Sequence, residues 1–488
     1  MWTSRFRISL LRPLSLYPVG FLTAASLVTT NDSSTATGSN RETAPPVAKP
    51  FVSRMKEKLP WKKEKTPSSQ MDAKELGESG NKQIPYYEKP LPLDPKLKSS
   101  WDNFHDQIEL IFTKDEKLNE GLSKDNMKAR MERLVRATQE HVCYEAEQLE
   151  LEACRHSGYF ITLHFLKKNK NIIITVLIIV VITGAASPHS GGLTKVLSNG
   201  KVFEKAGVSV SVSSGSLSPA AVQQMTADHV ELKQLLVIFC LFGQKKLGDE
   251  KGNVEFFAAS VSSVIHPWNP HAPTGHFNYR YFELGDVDKK TGEFVCKVWW
   301  YGGGADLTPS IIYDEDCAHF HNTLKQACDP TDTSLYPLYK KWCDDYFLIQ
   351  HRNERRGIGG IFFDDLTCGT NDTKNSKERL MGFVKDCASA YAKAYIPLVR
   401  RHAFQTYTPE EKDWQQLRRG RYVEFNLMYD RGTKFGLMKS GSRIESILMS
   451  LPLTARWEYC RDPVHDFEIA AHKVYTNPHD WLANATKK

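Results

Sequence analysis

The chain has 488 residues, of which 41% are hydrophobic and 25% are charged, as in ordinary soluble globular proteins. This composition excludes collagen, a wholly disordered chain and a membrane protein with many spans. The formal net charge is +7, but residues 1–70 hold 11 basic and 4 acidic residues and so carry all of it. Because the rest is neutral overall, the charge gives no indication that the folded part binds nucleic acid.

The N-terminal region is predicted to be a targeting segment followed by a linker. Residues 1–30 contain three arginines and several serines but no acidic residue, which is typical of an organelle transit peptide. A secretory signal is the alternative, because Val19–Val28 is largely apolar. Residues 31–96 are rich in serine, threonine, proline and lysine, which predicts a disordered linker. We therefore expect the folded domain over residues 97–488.

Hydrophobic periodicity predicts an α+β fold with an antiparallel sheet, because strands and helices fall in separate runs. Apolar residues at three- and four-residue spacing predict a helix over Lys124–Glu150. Strict alternation predicts a strand over Tyr422–Tyr429, with one polar and one apolar face. The further predicted strands are Val208–Val212, Phe277–Glu283, Phe294–Tyr301 and Ile361–Asp364, and the further predicted helices are Glu315–Ala327, Tyr336–Arg356 and Lys377–His402.

A run of 12 apolar residues, Ile172–Thr183, follows three lysines and stands apart from this pattern. It is shorter than the ~17–25 residues of a bilayer-spanning helix. Three interpretations remain open, namely a buried strand, a membrane anchor and translated non-coding sequence.

Glycines lie among polar residues from about residue 260 onwards. Gly302–Gly304 lacks the lysine and serine or threonine that follow a phosphate loop, and Gly357–Gly360 precedes a strand-like run instead of following one. Neither segment is therefore predicted to bind a nucleotide. We expect these glycines to adopt positive φ in tight turns.

The histidines allow three roles, as metal ligands, as structural groups or as acid–base and substrate contacts. On a helix, His319 and His321 would point about 200° apart, so at most one could join a given metal site. The cysteine spacings match no zinc module.

Arginine gives the stronger indication of a substrate. Its planar guanidinium group binds a carboxylate through two parallel hydrogen bonds, so several arginines near polar strands point to a substrate with several carboxylates. Surface ion pairs are the alternative. The arginines concerned are Arg280, Arg352, Arg355, Arg356, Arg421, Arg431 and Arg443.

Long blocks of the sequence resemble one family, the oxygen-dependent coproporphyrinogen III oxidases of haem biosynthesis. The resemblance covers about Leu97–Glu152 and Gly192–Trp481, with an interruption near residues 226–254. The blocks that carry it are HFNYRYFE (276–283), WWYGGGADLTP (299–309), HRNERRGIGGIFFDDL (351–366), RGRYVEFNLMYDRGTKFGL (419–437) and GSRIESILMSLPLTARWEY (441–459).

The resemblance implies a fold, a reaction and an assembly. The fold is α+β, with a large, mostly antiparallel sheet flanked on both sides by helices. The reaction is the oxidative decarboxylation of the ring A and B propionates of coproporphyrinogen III to vinyl groups, giving protoporphyrinogen IX. Oxygen is the acceptor, with no metal, organic cofactor or nucleic acid. The family forms homodimers, and Tyr422–Glu458 matches the interface. A catalytically impaired tetrapyrrole-binding homologue is the alternative function.

The resemblance also implies roles for particular residues and a location. His276 corresponds to the proton donor, and Asp430 and Arg431 resemble a pair that acts in binding and catalysis. Animal relatives imply the mitochondrial intermembrane space, with a chloroplast as the alternative. The implied substrate contacts are Ser262, Asn278, Tyr279, Arg280, Gly441, Ser442 and Arg443, and the histidines that match those considered as metal ligands in bacterial relatives are His266, His321 and His351.

Two segments depart from the family pattern, at about residues 156–190 and 226–254. Both are rich in isoleucine, leucine, lysine and phenylalanine and lie between well-matched blocks. They are interpreted as translated intron or as lineage-specific insertions. A membrane anchor is a third interpretation, which leaves a peripheral membrane association open. An insertion at 156–190 would displace residues that the family uses near the site and the dimer edge.

Overall fold

The computed structural model describes residues 127–156, 178–184, 191–218, 222, 254–367, 376–438 and 443–483. The predicted transit peptide and linker lie outside these residues, as do most of the two departing segments. Within the described residues, seven strands form one sheet in the order β1-β2-β3-β4-β5-β6-β9, and every neighbouring pair is antiparallel. The strands are β1 (Ile178–Gly184), β2 (Gly191–Ser198), β3 (Phe203–Leu217), β4 (Val254–Pro267), β5 (Thr274–Val287), β6 (Phe294–Thr308), the short pair β7 (Leu348–Ile349) and β8 (Glu354–Arg355), and β9 (Gly359–Leu366).

The helices lie between and after these strands. Single 3₁₀ turns occur at Gln350–Arg352 and Leu448–Ser450. The helices are α1 (Met127–His156), α2 (Asp314–Cys328), α3 (Leu335–Tyr346), α4 (Lys377–His402), α5 (Pro409–Met428), α6 (Arg431–Met438), α7 (Ile444–Ile447) and α8 (Asp466–Thr476).

The main hydrophobic core lies between one face of the sheet and a layer that contains α1, α2 and α4. Alternate strand residues point into it, so Phe277, Tyr279 and Tyr281 of β5 are fully buried against residues such as Tyr391 of α4. Each large aromatic side chain buried in this way contributes ~1.5–3 kcal/mol or more through the apolar surface it removes from water. The core therefore fixes which side of β5 faces outwards.

Helical elements also pack on the opposite face of the sheet. Ile361 and Phe363 of β9 point into the main core, whereas Phe362 between them packs with Phe425 of α5. A Cβ atom on Gly207 of β3 would meet Met449 of the second 3₁₀ turn, which therefore covers this face as well. The predicted α+β fold, with helices on both sides of an antiparallel sheet, is confirmed.

The predicted strand over Tyr422–Tyr429 is wrong, because these residues form the end of α5. Thr408 and Glu411 make a capping box, and Pro409 occupies the first helical turn, which together start a helix strongly. Burial then follows the helical period, since Phe425 is fully buried while Leu427 is 43% exposed. The prediction applied the two-residue period of a strand to side chains that follow the 3.6-residue period of a helix.

The other predicted elements agree with the structure in type. Lys377–His402 has the predicted bounds, and Ser376 caps it by accepting a hydrogen bond from the Arg379 backbone N–H. The predicted helix Tyr336–Arg356 is too long, because α3 ends at Tyr346 and the β7–β8 pair follows. Of the apolar run Ile172–Thr183, the part from Ile178 belongs to β1, which pairs with β2.

Candidate functional site

The candidate site lies on the face of the sheet that points away from the main core, which we call the polar face. On β5 this face carries His276, Asn278 and Arg280, which alternate with the buried aromatic residues. Successive residues of one strand face lie about 6.8 Å apart, so this row spans about 14 Å. The polar face is defined by Ser260, Ser262, His276, Asn278, Arg280, Gly302, Gly304, Asp306 and Asp364.

The strand register brings these residues together from four strands. Ser262 of β4 lies opposite Asn278, and Asn278 lies opposite Gly304 of β6. Ser260 and Gly302 flank Arg280 in the same way. The sequence-predicted contacts Ser262, Asn278 and Arg280 are therefore neighbours on one surface.

Gly302 and Gly304 of β6 keep this surface flat and open, whereas Gly303 between them faces the core. A Cβ atom on Gly302 would lie 2.5 Å from Asp364 Oδ1 and 2.7 Å from Arg280 Nε. These glycines are part of an extended strand, so the predicted turn with positive φ is wrong for Gly302–Gly304. Gly359 does adopt positive φ, at 82°, as predicted for the second glycine segment.

His276 makes the central contact of the site. Its Nδ1 lies 2.6 Å from Asp306 Oδ1 on the neighbouring strand. An ionised carboxylate only accepts hydrogen bonds, so Nδ1 carries the proton in this contact. The second ring nitrogen, Nε2, takes no part in it. The His276 side chain is 20% exposed. It can therefore exchange a proton with a ligand on the polar face.

Arg356 holds Asp306 from behind. Its Nε and Nη2 donate to the two Asp306 oxygens over 2.9–3.1 Å, and its Nη1 donates to Asn426 Oδ1 over 3.0 Å. The guanidinium group also stacks over the ring of Phe347 at 4.0 Å. Burial raises the pKa of Asp306, but the charges of Arg356 and His276 outweigh burial and hold this pKa below its usual value.

Arg280 and Arg431 share one carboxylate. Asp364 Oδ2 accepts hydrogen bonds from Arg280 Nη2 at 2.5 Å and from Arg431 Nη2 at 3.1 Å. Arg431 belongs to the first turn of α6, and its guanidinium group lies 5.3 Å from the ring centre of Tyr346. Two predicted site residues from distant parts of the sequence are thus brought together.

Asp430 lies beside this pair at the start of α6. Its Oδ2 accepts a hydrogen bond from the backbone N–H of Thr433 at 2.7 Å, as a helix N-cap does. Its Oδ1 accepts a hydrogen bond from the Tyr346 hydroxyl at 3.1 Å. Burial, followed by the charge of Asp430, raises the pKa of Tyr346 to about 12, so this hydroxyl keeps its proton.

Four predicted contacts are not brought to the polar face by the described residues. The side chain of Tyr279 points into the core, where its hydroxyl donates to the Cys387 carbonyl at 3.0 Å, so its prediction as a substrate contact is corrected. Gly441 and Ser442 lie outside the described residues. Arg443 precedes α7, with a half-exposed side chain 4.0 Å from Glu445.

The three histidines considered as metal ligands lie in separate environments. His266 is bonded to Thr274 and the Ser450 carbonyl, and burial holds its pKa well below the usual value. His321 is bonded to Tyr336 and the Ile358 carbonyl, and burial lowers its pKa to about 3. The two ring nitrogens of His351 contact the Tyr429 hydroxyl and the Glu424 carboxylate.

No group of three or more His, Cys, Asp or Glu side chains within the described residues has an arrangement that could hold a metal ion. In the same part of the chain, no helix is both long and apolar enough to cross a membrane.

Sequence reasoning did not single out Asp306, Asp364 or the particular role of Arg356. All three lie within the blocks WWYGGGADLTP and HRNERRGIGGIFFDDL. The available signal was the strand alternation of IFFDDL, which places Asp364 on the same face as Phe362 and opposite to Phe363. The partners of these residues could not be predicted, because they come from other strands.

Comparison with known proteins identifies the family. A family model described as coproporphyrinogen III oxidase matches residues 182–481, which is more than half of the chain. The chain belongs to the coproporphyrinogen III oxidase family. The match includes every described strand from β2 onwards and all residues of the polar face.

Several curated relatives are similar over the same region. The human oxygen-dependent coproporphyrinogen-III oxidase, mitochondrial, is 55% identical over 293 residues, which are 60% of this chain and 59% of the human protein. The Drosophila melanogaster oxygen-dependent coproporphyrinogen-III oxidase is also 55% identical, over 60% of this chain and 68% of the fly protein. Coproporphyrinogen-III oxidase 1, chloroplastic, of Arabidopsis thaliana is 45% identical over 74% of this chain and 81% of the plant protein. The chain thus spans about three fifths of the mammalian relatives.

Proposed function

We propose that this chain is an oxygen-dependent coproporphyrinogen III oxidase. It would convert the ring A and B propionates of coproporphyrinogen III into vinyl groups and release protoporphyrinogen IX. The observation that carries this proposal is the polar face, on which an arginine pair and a histidine–aspartate pair lie together. Membership of the family and the names of the relatives support the same reaction.

The reaction needs an electron acceptor, and we propose that it is molecular oxygen without a metal or organic cofactor. Each propionate side chain loses its carboxylate as carbon dioxide and one hydrogen, with two electrons, from the carbon next to the pyrrole ring. One oxygen molecule takes up this hydride equivalent and one proton and leaves as hydrogen peroxide, so atoms and electrons balance. The electron-rich tetrapyrrole can itself reduce oxygen, which gives the protein the task of binding and orientation.

The arginine pair would bind a propionate carboxylate. Arg280 and Arg431 are 32% and 36% exposed, so a carboxylate on the polar face could contact both guanidinium groups. Charge-assisted hydrogen bonds of this kind fix both position and direction, so that one propionate at a time meets oxygen. Asn278 and Ser262 would contact the adjoining part of the substrate. Arg443, with Gly441 and Ser442, is retained as a proposed second contact region.

His276 would transfer a proton during loss of the carboxyl group. Asp306 fixes the Nδ1–H tautomer, which leaves Nε2 for the substrate. General acid–base groups of this kind typically contribute ~10²–10⁴-fold to the rate. Asp430 would add a negative charge that stabilises positive charge developing on the pyrrole ring and accepts hydrogen bonds from pyrrole N–H groups. Each of its oxygens already accepts one hydrogen bond and retains a second lone pair for this purpose.

We further propose that the protein forms a homodimer through an interface that includes Tyr422–Glu458. Large apolar side chains are exposed in and beside this region, as expected for a surface that a second copy would cover. The second proposed role of these exposed apolar side chains is peripheral association with a membrane. The exposed residues are Leu427, Met428, Leu437, Met438, Ile444, Leu453, Trp457, Tyr459 and Val464.

The proposed location is the mitochondrion, in the intermembrane space. The arginine-rich, acid-free composition of residues 1–30 and the names of the human, rat and mouse relatives support import into mitochondria. The plant relatives are named chloroplastic, so fractionation of the source cells is the direct test.

The reaction is tested by loading the protein with coproporphyrinogen III without oxygen and then admitting air. We expect protoporphyrin fluorescence to develop at the same rate with and without a chelator, because no metal takes part. A rate that falls with the chelator would contradict the proposed lack of a metal. Binding without product would favour a non-catalytic tetrapyrrole-binding protein, and a chain lacking residues 156–190 would then show whether that segment blocks turnover.

A further inference from the structure

Asp364 of β9 is the buried carboxylate of the polar face. Its side chain is only 1% exposed. Oδ1 accepts a hydrogen bond from the backbone N–H of Asp365 at 3.0 Å, and Asp365 has a φ of 54°, which is uncommon for a residue other than glycine. The backbone thus fixes one oxygen of Asp364 and leaves Oδ2 directed towards the two arginines.

The shared oxygen brings together two groups that would otherwise repel each other. Arg280 comes from β5 and Arg431 from α6, and the Nη2 atoms of both donate to Asp364 Oδ2. The negative charge of Asp364 between the two guanidinium cations offsets their mutual repulsion. Burial lowers the pKa of Arg280, but Asp364, Tyr346 and Asp365 together outweigh burial and raise it, so the cation is stabilised in place.

The opposite strand leaves room for this arrangement. Arg280 lies across from Gly302, and a Cβ atom there would come within 2.5 Å of Asp364 Oδ1 and 2.7 Å of Arg280 Nε. Real Cβ atoms do not approach other atoms so closely, so any side chain at position 302 would displace the ion pair. The observed position of Arg280 beside Asp364 therefore requires a glycine at position 302.

We infer that Asp364 is a positioning residue that presents Arg280 and Arg431 as one clamp for a single propionate carboxylate. This inference rests on the proposed function, because the clamp has a purpose only if the substrate carries carboxylates. Asp364 binds the Nη2 group of both arginines, and both side chains are about one third exposed beside the polar face, where a carboxylate could contact them. It also joins the first turn of α6 to the sheet, so the clamp forms only when α6 is docked.

The inference predicts the direction of a change in affinity. In Asp364→Asn the charge between the arginines is lost, so the two cations move apart. Binding of coproporphyrin III, the stable oxidised form of the substrate with its four carboxylates, should weaken about tenfold, as expected for the loss of one charge-assisted hydrogen bond. If Asp364 instead competed with the substrate for the arginines, the variant would bind more tightly. Equal or tighter binding by folded Asp364→Asn would therefore overturn the inference.

The measurement is the quenching of tryptophan fluorescence by coproporphyrin III, with its tetramethyl ester as the ligand that lacks free carboxylates. Gly302→Ala displaces the pair without changing any charge and should weaken binding of the free acid to a similar degree. Glu283→Gln is the matched control, because Glu283 is a buried β5 carboxylate that binds Lys377 at 2.8 Å on the opposite face of the sheet. It should lower the thermal unfolding temperature without changing affinity.

The two proposals fail in distinguishable ways. If the wild-type protein binds the free acid no better than the ester, the proposed carboxylate substrate is wrong. If the wild type prefers the free acid but Gly302→Ala binds it as tightly as the wild type does, the clamp is wrong while the proposed function stands. Gly302→Ala decides the question should Asp364→Asn fail to fold.

Discussion

Among the described residues, arginine, carboxylate and histidine form several triads, and two of these triads share the same contacts but lie in different surroundings. The site triad consists of Arg356, Asp306 and His276, and the second triad consists of Arg418, Glu354 and His472. In both, a buried arginine binds a buried carboxylate and stacks on an aromatic ring, Phe347 at 4.0 Å in one and Tyr475 at 4.0 Å in the other. In both, burial raises the pKa of the carboxyl group, and the arginine together with its other charged neighbours outweighs burial and lowers it.

The difference between the triads lies in the histidine and its surroundings. His276 Nδ1 is 2.6 Å from Asp306 and its ring lies on the polar face near Asn278, whereas His472 Nδ1 is 3.5 Å from Glu354 and its ring is 43% exposed. The second triad fastens α5 to the β7–β8 pair and α8. The same three residue types therefore do not define a catalytic site unless their histidine faces a surface that can bind a ligand.

The largest expected effect is on turnover and separates the two histidines. His276→Ala should lower kcat by ~10²–10⁴-fold, because the proposed proton transfer is lost. Its affinity for coproporphyrin III should change little, since the arginine clamp remains. His472→Ala is the control and should keep wild-type kcat. Equal rates for the two variants, measured from protoporphyrin fluorescence, would remove the distinction between the triads.

Substitution of Arg356 and of Arg418 should destabilise the protein to a similar degree, but only substitution of Arg356 should change the pH dependence of activity. Arg356→Met and Arg418→Met each remove the buried arginine that binds a buried carboxylate, which should lower the free energy of unfolding by up to ~3–5 kcal/mol. Arg356 lowers the pKa of Asp306, so the contribution of the ionised carboxylate in the wild type is lost only as the pH falls through that lowered pKa.

Without Arg356, the pKa of Asp306 rises, and the loss of activity on acidification should begin at a higher pH. Arg418→Met should keep the wild-type pH profile of kcat/KM at temperatures where it is folded. Chemical denaturation and the pH profile are the two measurements. A shift of the acid limb in both variants would indicate general destabilisation rather than a specific action on Asp306.

Asp430 offers a test of charge against helix capping. Asparagine caps helices as well as aspartate does, so Asp430→Asn should keep α6 while removing the negative charge beside the arginine pair. We expect turnover to slow much more than substrate binding weakens. Asp430→Ala should in addition lose about 1 kcal/mol of stability through the missing cap. An equal loss of binding and turnover in Asp430→Asn would contradict the proposed electrostatic role.

The smallest expected effect concerns the neighbour of the polar face. Tyr279→Phe removes a buried hydroxyl that donates to the Cys387 carbonyl, which should cost about 1 kcal/mol of unfolding free energy. KM and kcat should stay at their wild-type values, because this side chain lies on the core side of β5. Steady-state kinetics of Tyr279→Phe and Asn278→Ala are the measurement. Only Asn278→Ala should change KM or kcat, because Asn278 lies on the polar face of β5.

The sequence was a good guide to elements whose burial follows one clear period. The helix Lys377–His402 has its predicted bounds because its cap at Ser376 and its apolar spacing agree. Tyr422–Tyr429 misled the prediction because aromatic and polar residues alternate there by chance, while the signal that starts the helix lies at Thr408, outside that window. Local pattern cannot weigh a cap that lies fourteen residues upstream.

The candidate site was predictable only where one strand holds several of its members. The resemblance to the family pointed to His276, Asn278 and Arg280, which share a strand face through their spacing of two. The same block included Tyr279, which the alternation places on the other face. The joining of Arg280 to Arg431 through Asp364 depends on the pairing of β5 with β6 and of β6 with β9, and strand order is not encoded in any one segment.

The glycine run of β6 has a consequence for inherited variation. Every single-nucleotide missense change of a glycine codon adds a Cβ atom, yet neighbouring positions should give different defects. At Gly302 the atoms met are the ends of the Arg280 and Asp364 side chains, which can move, so the protein should persist at normal abundance with impaired activity. At Gly304 the atoms met include the backbone carbonyl of Ile361 at 2.5 Å, which cannot move easily, so the chain should be degraded. Two alleles six nucleotides apart would thus be separated by an immunoblot.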